Sequence, residues 1–351
     1  MGTNCSCIKN SPLDGSQVVI DDYNQKSSRL VTPRVPVSML PGRSDLNGTQ
    51  VEKIIKLQSV LRAFIERAHV KECFLKTGAS RASINESFVS VSNAILKPRQ
   101  GEDPDFLQAD QNLVCEVEKA CKGGTYSGQL NKSSMFHGFG VFFFKDGSKY
   151  EGNWVNGKSE GKGKLINSDG SQYEGFWKND KANGTGQYTK KDGSVYSGTF
   201  KDDKKHGFGI ETWPNGSKFE GFYTQGKKNG EGRYTWPDSS LYIGSFKNNK
   251  FDGMGTYCWP DKSSYNGEWV SGKKEGKGTF YWPDGKTYNG EFKNDKKHGF
   301  GVLRWKDGRV YEGKWRMGKQ HGTGSLSEPN GEVIKGHWKN GKCVSSNLNP
   351  Q

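Results

Sequence analysis

Residues 265–287 read YNGEWVSGKKEGKGTFYWPDGKT, and this stretch decides the fold. Its apolar period is two, not 3.6. Tyr265, Gly267 and Trp269 alternate with Asn266 and Glu268, which places the three on one face of a strand. Ser271-Gly272-Lys273 reads as a tight turn, and Gly278, Phe280 and Trp282 then alternate along a returning strand. Pro283-Asp284-Gly285 is a second turn, after which Tyr288 begins the same pattern again.

Followed outward, the frame starts at Tyr126, Tyr150, Tyr173, Tyr196, Phe219, Tyr242, Tyr265, Tyr288, Tyr311 and Ile334; the spacing is 23 residues throughout except for an opening 24. That makes nine complete units and a truncated tenth. Position 3, counted from the opening residue, is Gly in every unit, and position 5 is aromatic in all but the first, where Leu130 stands. A Gly-x-Gly follows in each second half, as at Gly161/Gly163 and Gly299/Gly301. The glycines leave room for neighbouring rings to lie over the backbone. Glu211 is a departure, an acid at an otherwise apolar position of the fourth unit.

These residues, Y-x-G-x-W followed by G-x-G and D-G at a fixed period, resemble the MORN repeat family over about 220 of 351 residues. The resemblance implies a scaffold at membranes, the cell cortex or ciliary structures. Some members carry an additional lipid kinase domain, for which the remaining 125 residues leave no room.

Composition agrees with a thin repetitive sheet rather than a thick core. Only 31% of residues are hydrophobic while 48 are glycine, too few aliphatics for a two-layer domain of this length. The fold class is all-β: an elongated single-layer antiparallel β-meander of tandem hairpins, preceded by an α-helix and a disordered N-terminal tether. Its ring face lacks an identifiable covering layer, so curling of the sheet, dimerisation or a partner helix is expected to complete it. The organisation reads as an acylated tether (1–48), a basic amphipathic helix (49–78), a connecting or capping segment (79–125) whose short apolar pieces pack over the first repeat, the array (126–344) and a tail (345–351).

The net charge of +14 is concentrated in the repeats. Residues 1–125 hold 16 Lys+Arg against 14 Asp+Glu, and the remainder 36 against 24. Position 9 is Lys in units two to ten: Lys158, Lys181, Lys204, Lys227, Lys250, Lys273, Lys296, Lys319 and Lys342. Lys205, Lys228, Lys274 and Lys297 follow directly and are expected to double the same turn edge. Such an edge suits anionic phospholipid or acidic protein partners; solvated turn lysines also keep a repetitive sheet soluble. Nucleic acid is disfavoured, because the rings sit inside the sheet pattern and not beside this edge.

Catalytic signals dissolve into the repeat. Gly272 to Thr279 is one residue short of a phosphate-binding loop and crosses a hairpin turn with no helix to receive a phosphate. His137, His206, His298 and His321 occupy one repeat slot and stand too far apart for a compact metal site. No catalytic residue, metal or cofactor is assigned, and the reading is non-enzymatic. The seven cysteines show no paired spacing, which fits a reducing compartment.

The chain opens Met1-Gly2-Thr3-Asn4-Cys5-Ser6-Cys7. Gly2 with Ser6 fits N-myristoylation, and Cys5 and Cys7 are placed for palmitoylation, the second signal that stable anchoring requires. Thr49 and Glu52 form a capping box for the helix. Within it Leu57, Gln58, Leu61, Arg62, Phe64 and Arg67 resemble an IQ motif, with Ala63 in place of the common Gly; the resemblance implies calmodulin or a related EF-hand partner, although the helix also suits packing on the chain's own sheet. The expected role is a membrane-tethered scaffold at the cytoplasmic face of the plasma membrane or the cell cortex. A ciliary or flagellar structural subunit, or a regulatory subunit of a phosphatidylinositol phosphate kinase, are the other readings.

Overall fold

The computed structural model describes residues 114–347. They form one open antiparallel sheet of 21 strands, with no helix among the described residues. The sheet opens with β1 (Val114–Cys121), β2 (Gly124–Leu130), β3 (Phe136–Phe144), β4 (Lys149–Val155) and β5 (Lys158–Ile166). From β4 until the final six-residue strand, Lys342–Asn347, a seven-residue strand alternates with a nine-residue one, once per repeat, and the paired strands are consecutive in sequence. Of the segment ahead of the first repeat, only residues 114–125 are described, and these do not lie over it. Instead β1 pairs with β2 in the plane of the sheet, Lys119 opposite Tyr126, and so extends the ladder.

Both kinds of turn follow from residue chemistry. Within a hairpin two residues turn with positive φ, as at Asn156 (50°) and Gly157 (83°) or Asn179 (50°) and Asp180 (65°); this is the type I′ geometry whose twist matches the flanking strands. Between hairpins the Asp or Asn side chain accepts the backbone N–H two residues on, as Asp169 does from Ser171 at 2.8 Å. Hairpin turns also clip onto the repeat before them. Gly157 N–H donates to the Phe136 carbonyl at 2.8 Å, and Asp180 N–H to the Ser159 carbonyl at 3.1 Å. Where position 8 is Asp or Asn its side chain returns the bond, Asp180 Oδ1 accepting from Ser159 N–H at 2.7 Å and Asp203 Oδ1 from Ala182 N–H at 2.7 Å.

The described residues divide into two compact units, 114–256 with 269–271, and 257–268 with 272–347. In the first, glycines face one another across the ladder: Gly152 pairs with Gly140 on one side and Gly163 on the other, Gly175 with Gly163 and Gly186. This row is the floor of the core. The Tyr150 ring lies flat over Gly163, where a Cβ would come within 2.2 Å of the Tyr150 hydroxyl. That hydroxyl donates to the Asn153 carbonyl at 3.1 Å, and Trp177 Nε1–H to the Gly163 carbonyl at 3.0 Å. The rings meet edge to face: Tyr150–Trp177 at 5.2 Å, Tyr173–Phe200 at 4.9 Å, Tyr196–Tyr223 at 5.2 Å and Phe219–Phe246 at 5.1 Å.

The second unit repeats the design. Tyr265–Phe292, Tyr288–Trp315 and Tyr311–Trp338 stand 5.0, 5.3 and 5.1 Å apart, and Gly290 pairs with Gly278 and Gly301. The opening aromatics are at most 1% exposed in both units. The rings therefore bury themselves against glycine backbone and one another, within one layer and one chain. Burial leaves their hydroxyls strongly disfavoured as phenolates, so the tyrosine pKa values lie well above the ordinary one.

Candidate functional site

The cation edge begins with the turn. A two-residue I′ loop pairs position 6 with position 9, so each edge lysine faces the last residue of the incoming strand across the ladder. Lys178 stands opposite Lys181 and Lys201 opposite Lys204 in the first unit; Lys293 stands opposite Lys296, Arg316 opposite Lys319 and Lys339 opposite Lys342 in the second. Lys158, Lys181, Lys204, Lys227 and Lys250 in one unit, and Lys273, Lys296, Lys319 and Lys342 in the other, are all exposed. So are the position-6 cations Lys178, Lys201, Lys293, Arg316 and Lys339. Lys178, Lys181 and Lys201 rim an open depression that also contains Asn183, Asp202 and His206. Asp180 and Asp203 turn inward to the backbone N–H groups of the preceding repeat.

The doubling lysines expected on this edge lie elsewhere. Lys205, Lys228 and Lys274 are 4, 4 and 8% exposed and stand on the ring face. The reason is the strand period: positions 9 and 10 are neighbours in sequence and point to opposite faces. Position 10 fills the space beside the rings: Phe251 stacks on Tyr242 at 3.7 Å in the sixth repeat, and its equivalent in the one-residue-longer first repeat, Phe136, on Tyr126 at 3.9 Å. A lysine there spreads its stem over the same rings. Lys228 Nζ is 5.0 Å from the Trp213 centroid and 5.1 Å from that of Phe219.

Glu211 explains how two such ammonium groups are tolerated. It occupies position 16, where other repeats carry Leu165, Tyr188 or Leu303. Its carboxylate accepts from Lys205 Nζ at 2.5 Å and from the Tyr223 hydroxyl at 2.7 Å, and lies 3.9 Å from Lys228 Nζ. Burial opposes the charge, but Lys205 and Lys228 outweigh it and hold the Glu211 carboxyl below its ordinary value. Burial pushes Lys228 down to about 8, against the pull of Glu211.

Of the histidines in this slot, His137 supports the next turn. His137 Nδ1 accepts from Asn156 N–H at 3.4 Å, and in other repeats Glu160 and Asp252 occupy the same slot and accept from Asn179 and Ser271 N–H. Among the described residues no group of three or more His, Cys, Asp or Glu is placed to hold a metal ion. The Gly272 to Thr279 stretch runs from a hairpin turn into the strand Lys273–Tyr281. Gly2, Cys5, Cys7 and the IQ-like residues Leu57, Gln58, Leu61, Arg62, Phe64 and Arg67 lie outside the described residues.

Among solved structures, the chain is similar to the TCP10 domain of Danio rerio CPAP in complex with a STIL peptide, at 13% identity over 67% of this chain and 100% of that one, with a TM-score of 0.37. A TCP domain from Drosophila melanogaster, solved with a proline-rich motif of Ana2, matches at 14% over 51% and 90% with a TM-score of 0.29. A virginiamycin B lyase from Staphylococcus aureus matches at 13% over 66% and 72% with a TM-score of 0.13. None superposes closely enough to inform function. No curated protein matches the chain. The MORN repeat pattern matches residues 126–149, 150–172, 173–195, 196–218, 219–241, 242–264, 265–287, 288–308 and 311–333, more than half of the chain. The chain belongs to the MORN repeat family.

Proposed function

We propose that this protein is a non-enzymatic, membrane-associated scaffold whose repeats engage anionic phospholipid through the lysine edge. MORN repeats suggest a scaffold or membrane-binding role. The observation that carries the lipid reading is the row of position-9 lysines, doubled by a facing position-6 cation at Lys178, Lys201, Lys293, Arg316 and Lys339 at the turn end of the hairpins. Each lysine near an anionic surface contributes about 1 kcal/mol, so a row of partners accumulates affinity that single surface lysines lack. Lys178, Lys181 and Lys201 around one depression are the best-placed group for a headgroup phosphate.

In this reading Gly2, Cys5 and Cys7 carry the acyl chains that fix the protein at the cytoplasmic face of the membrane or cell cortex, and one chain alone binds only marginally. The helix at 49–78 recruits calmodulin or a related EF-hand protein through Leu57, Gln58, Leu61, Arg62, Phe64 and Arg67. The test is membrane partition of the full chain and of Gly2→Ala in a eukaryotic cell, each with and without Lys178, Lys181 and Lys201 changed to Gln. Release by Gly2→Ala alone makes acylation the principal anchor. Retention of Gly2→Ala that the lysine changes abolish makes the edge the anchor. Retention in all four chains contradicts both parts of the proposal.

A further inference from the structure

Four lysines occupy position 10, and they are not equivalent. Lys205 and Lys228 share Glu211, and Lys274 Nζ lies 3.7 Å from Asp295. Among the described residues no carboxylate pairs with Lys297. Its Nζ sits in a cage of three rings, 4.3 Å from the Trp315 centroid, 5.4 Å from Tyr288 and 5.5 Å from Trp282. A second cation adjoins the cage: Lys286 Nζ lies 4.6 Å over Trp282, with Asp284 at 3.8 Å. Burial, reinforced by Lys286, lowers Lys297 to about 8. An ammonium is thus half-buried against aromatic faces, beside a like charge, with no counter-ion among the described residues.

The chain itself contains the completed form of this arrangement. Three repeats earlier, Lys228 occupies the place of Lys297, Trp213 that of Trp282 and Phe219 that of Tyr288. There Glu211 supplies the anion and the Tyr223 hydroxyl holds it. At the later pair the corresponding residues are Phe280 and Phe292, so both lysines are kept while both anion-holding groups are apolar. We propose that Lys297 is an anion site completed in trans by an aspartate or glutamate of an acidic peptide from a partner protein, laid on the ring face with Trp282, Tyr288 and Trp315 around the ion pair. A peptide carboxylate is the favoured anion because a carboxylate fills the equivalent place at Lys228. The membrane reading uses the turn edge and the opposite strand parity, so this proposal stands independently of it.

The test uses the full chain and a fluorescein-labelled, acetylated peptide of four glutamates alternating with alanine, followed by anisotropy. Lys297→Met and Lys296→Met remove the same charge from adjacent residues. The expected result is a loss of about tenfold or more for Lys297→Met and less than about twofold for Lys296→Met. Position 10 accepts Phe251, Ala182 and Gln320 in other repeats, so Met is compatible with the fold. A second variant decides if it is not. Phe280→Glu with Phe292→Tyr supplies the carboxylate and its hydroxyl partner in cis, and is expected to block the peptide while keeping Lys297. Equal weakening by both methionine variants, no binding to the unaltered chain, or unchanged binding to the double variant would each overturn the proposal. Phosphatidylserine vesicles form the last arm. Their binding is expected to be indifferent to Lys297→Met, and a loss confined to vesicles would assign the site to lipid phosphate instead.

Discussion

Lys204 and Lys205 are adjacent in the chain and belong to different parts of the molecule. Lys204 is exposed at the turn edge, opposite Lys201, in a row of cations that no described core group needs. Lys205 is 4% exposed, lies over the Tyr196 and Tyr223 rings and is paired at 2.5 Å with a buried glutamate. One peptide unit separates a side chain available to partners from one committed to the core. In a single-layer sheet, strand parity decides which of two adjacent basic residues meets solvent and which meets the rings.

Breaking the buried side of that comparison should have the largest effect. Glu211→Leu leaves Lys205 and Lys228 without their shared counter-charge and is expected to lower stability by about 3–5 kcal/mol in denaturant unfolding. Adding Lys205→Met and Lys228→Met should restore stability to within about 1 kcal/mol, since an apolar set of similar volume replaces a buried ionic one at little cost. A single variant that unfolds like the unaltered chain would show that the network is not held.

The glycine floor offers the next contrast. Gly163→Ala would drive a Cβ into the Tyr150 ring and is expected to cost about 2–4 kcal/mol. Gly157→Ala, at φ 83° with open space around it, should cost only the left-handed backbone term of about 1–2 kcal/mol. Similar losses for the two would mean that the rings do not pack on the backbone as described.

The same split appears in pH dependence. Lys228 and Lys297 have folded values of about 8, below the ordinary 10.5, so between those values the unfolded chain binds more protons and stability should rise with pH. The buried tyrosines act in the opposite sense. Their folded values lie above 10.0, so above that pH the unfolded chain loses protons first and stability falls. Unfolding transitions should therefore strengthen from pH 8 toward 10 and weaken beyond it, and Lys297→Met should reduce the rise. Stability that is flat from pH 8 to 10 would contradict the burial of these ammonium groups.

On the exposed side, changing Lys158, Lys181, Lys204, Lys227 and Lys250 to Gln should leave stability within about 0.5 kcal/mol per site, while binding to phosphatidylserine vesicles drops and loses its salt dependence. A large loss of stability with unchanged vesicle binding would reverse the assignment of the edge.

Much of this architecture is legible in sequence because its constraints are local. The period-two alternation of Tyr150, Gly152 and Trp154, and the Asp-Gly and Asn-Gly turns, specify hairpins without reference to distant residues. Glu211 also stands out as an acid at an apolar position, but its partners come from the two lysines assigned to the turn edge. Reading Lys205 and Lys228 by alternation instead of by proximity to the turn would have placed them with it. The position-6 cations Lys178, Lys201, Lys293, Arg316 and Lys339 were hidden for a related reason. Their importance comes from cross-strand register, which the two-residue turn sets and which composition does not reveal. The burial of the opening rings is less legible, because a Tyr lying flat on a glycine pair obtains its burial from backbone.

The most direct measurement is the denaturant midpoint of Lys204→Met beside that of Lys205→Met. The two changes remove the same charge, one residue apart, on opposite faces of the same strand. Lys205→Met is expected to lose about 2–4 kcal/mol, because Glu211 is left buried with its nearest cation removed, and Lys204→Met to remain within about 0.5 kcal/mol of the unaltered chain. Equal effects, or a larger loss for Lys204→Met, would contradict the division of the lysines between a solvated edge and a buried ring face.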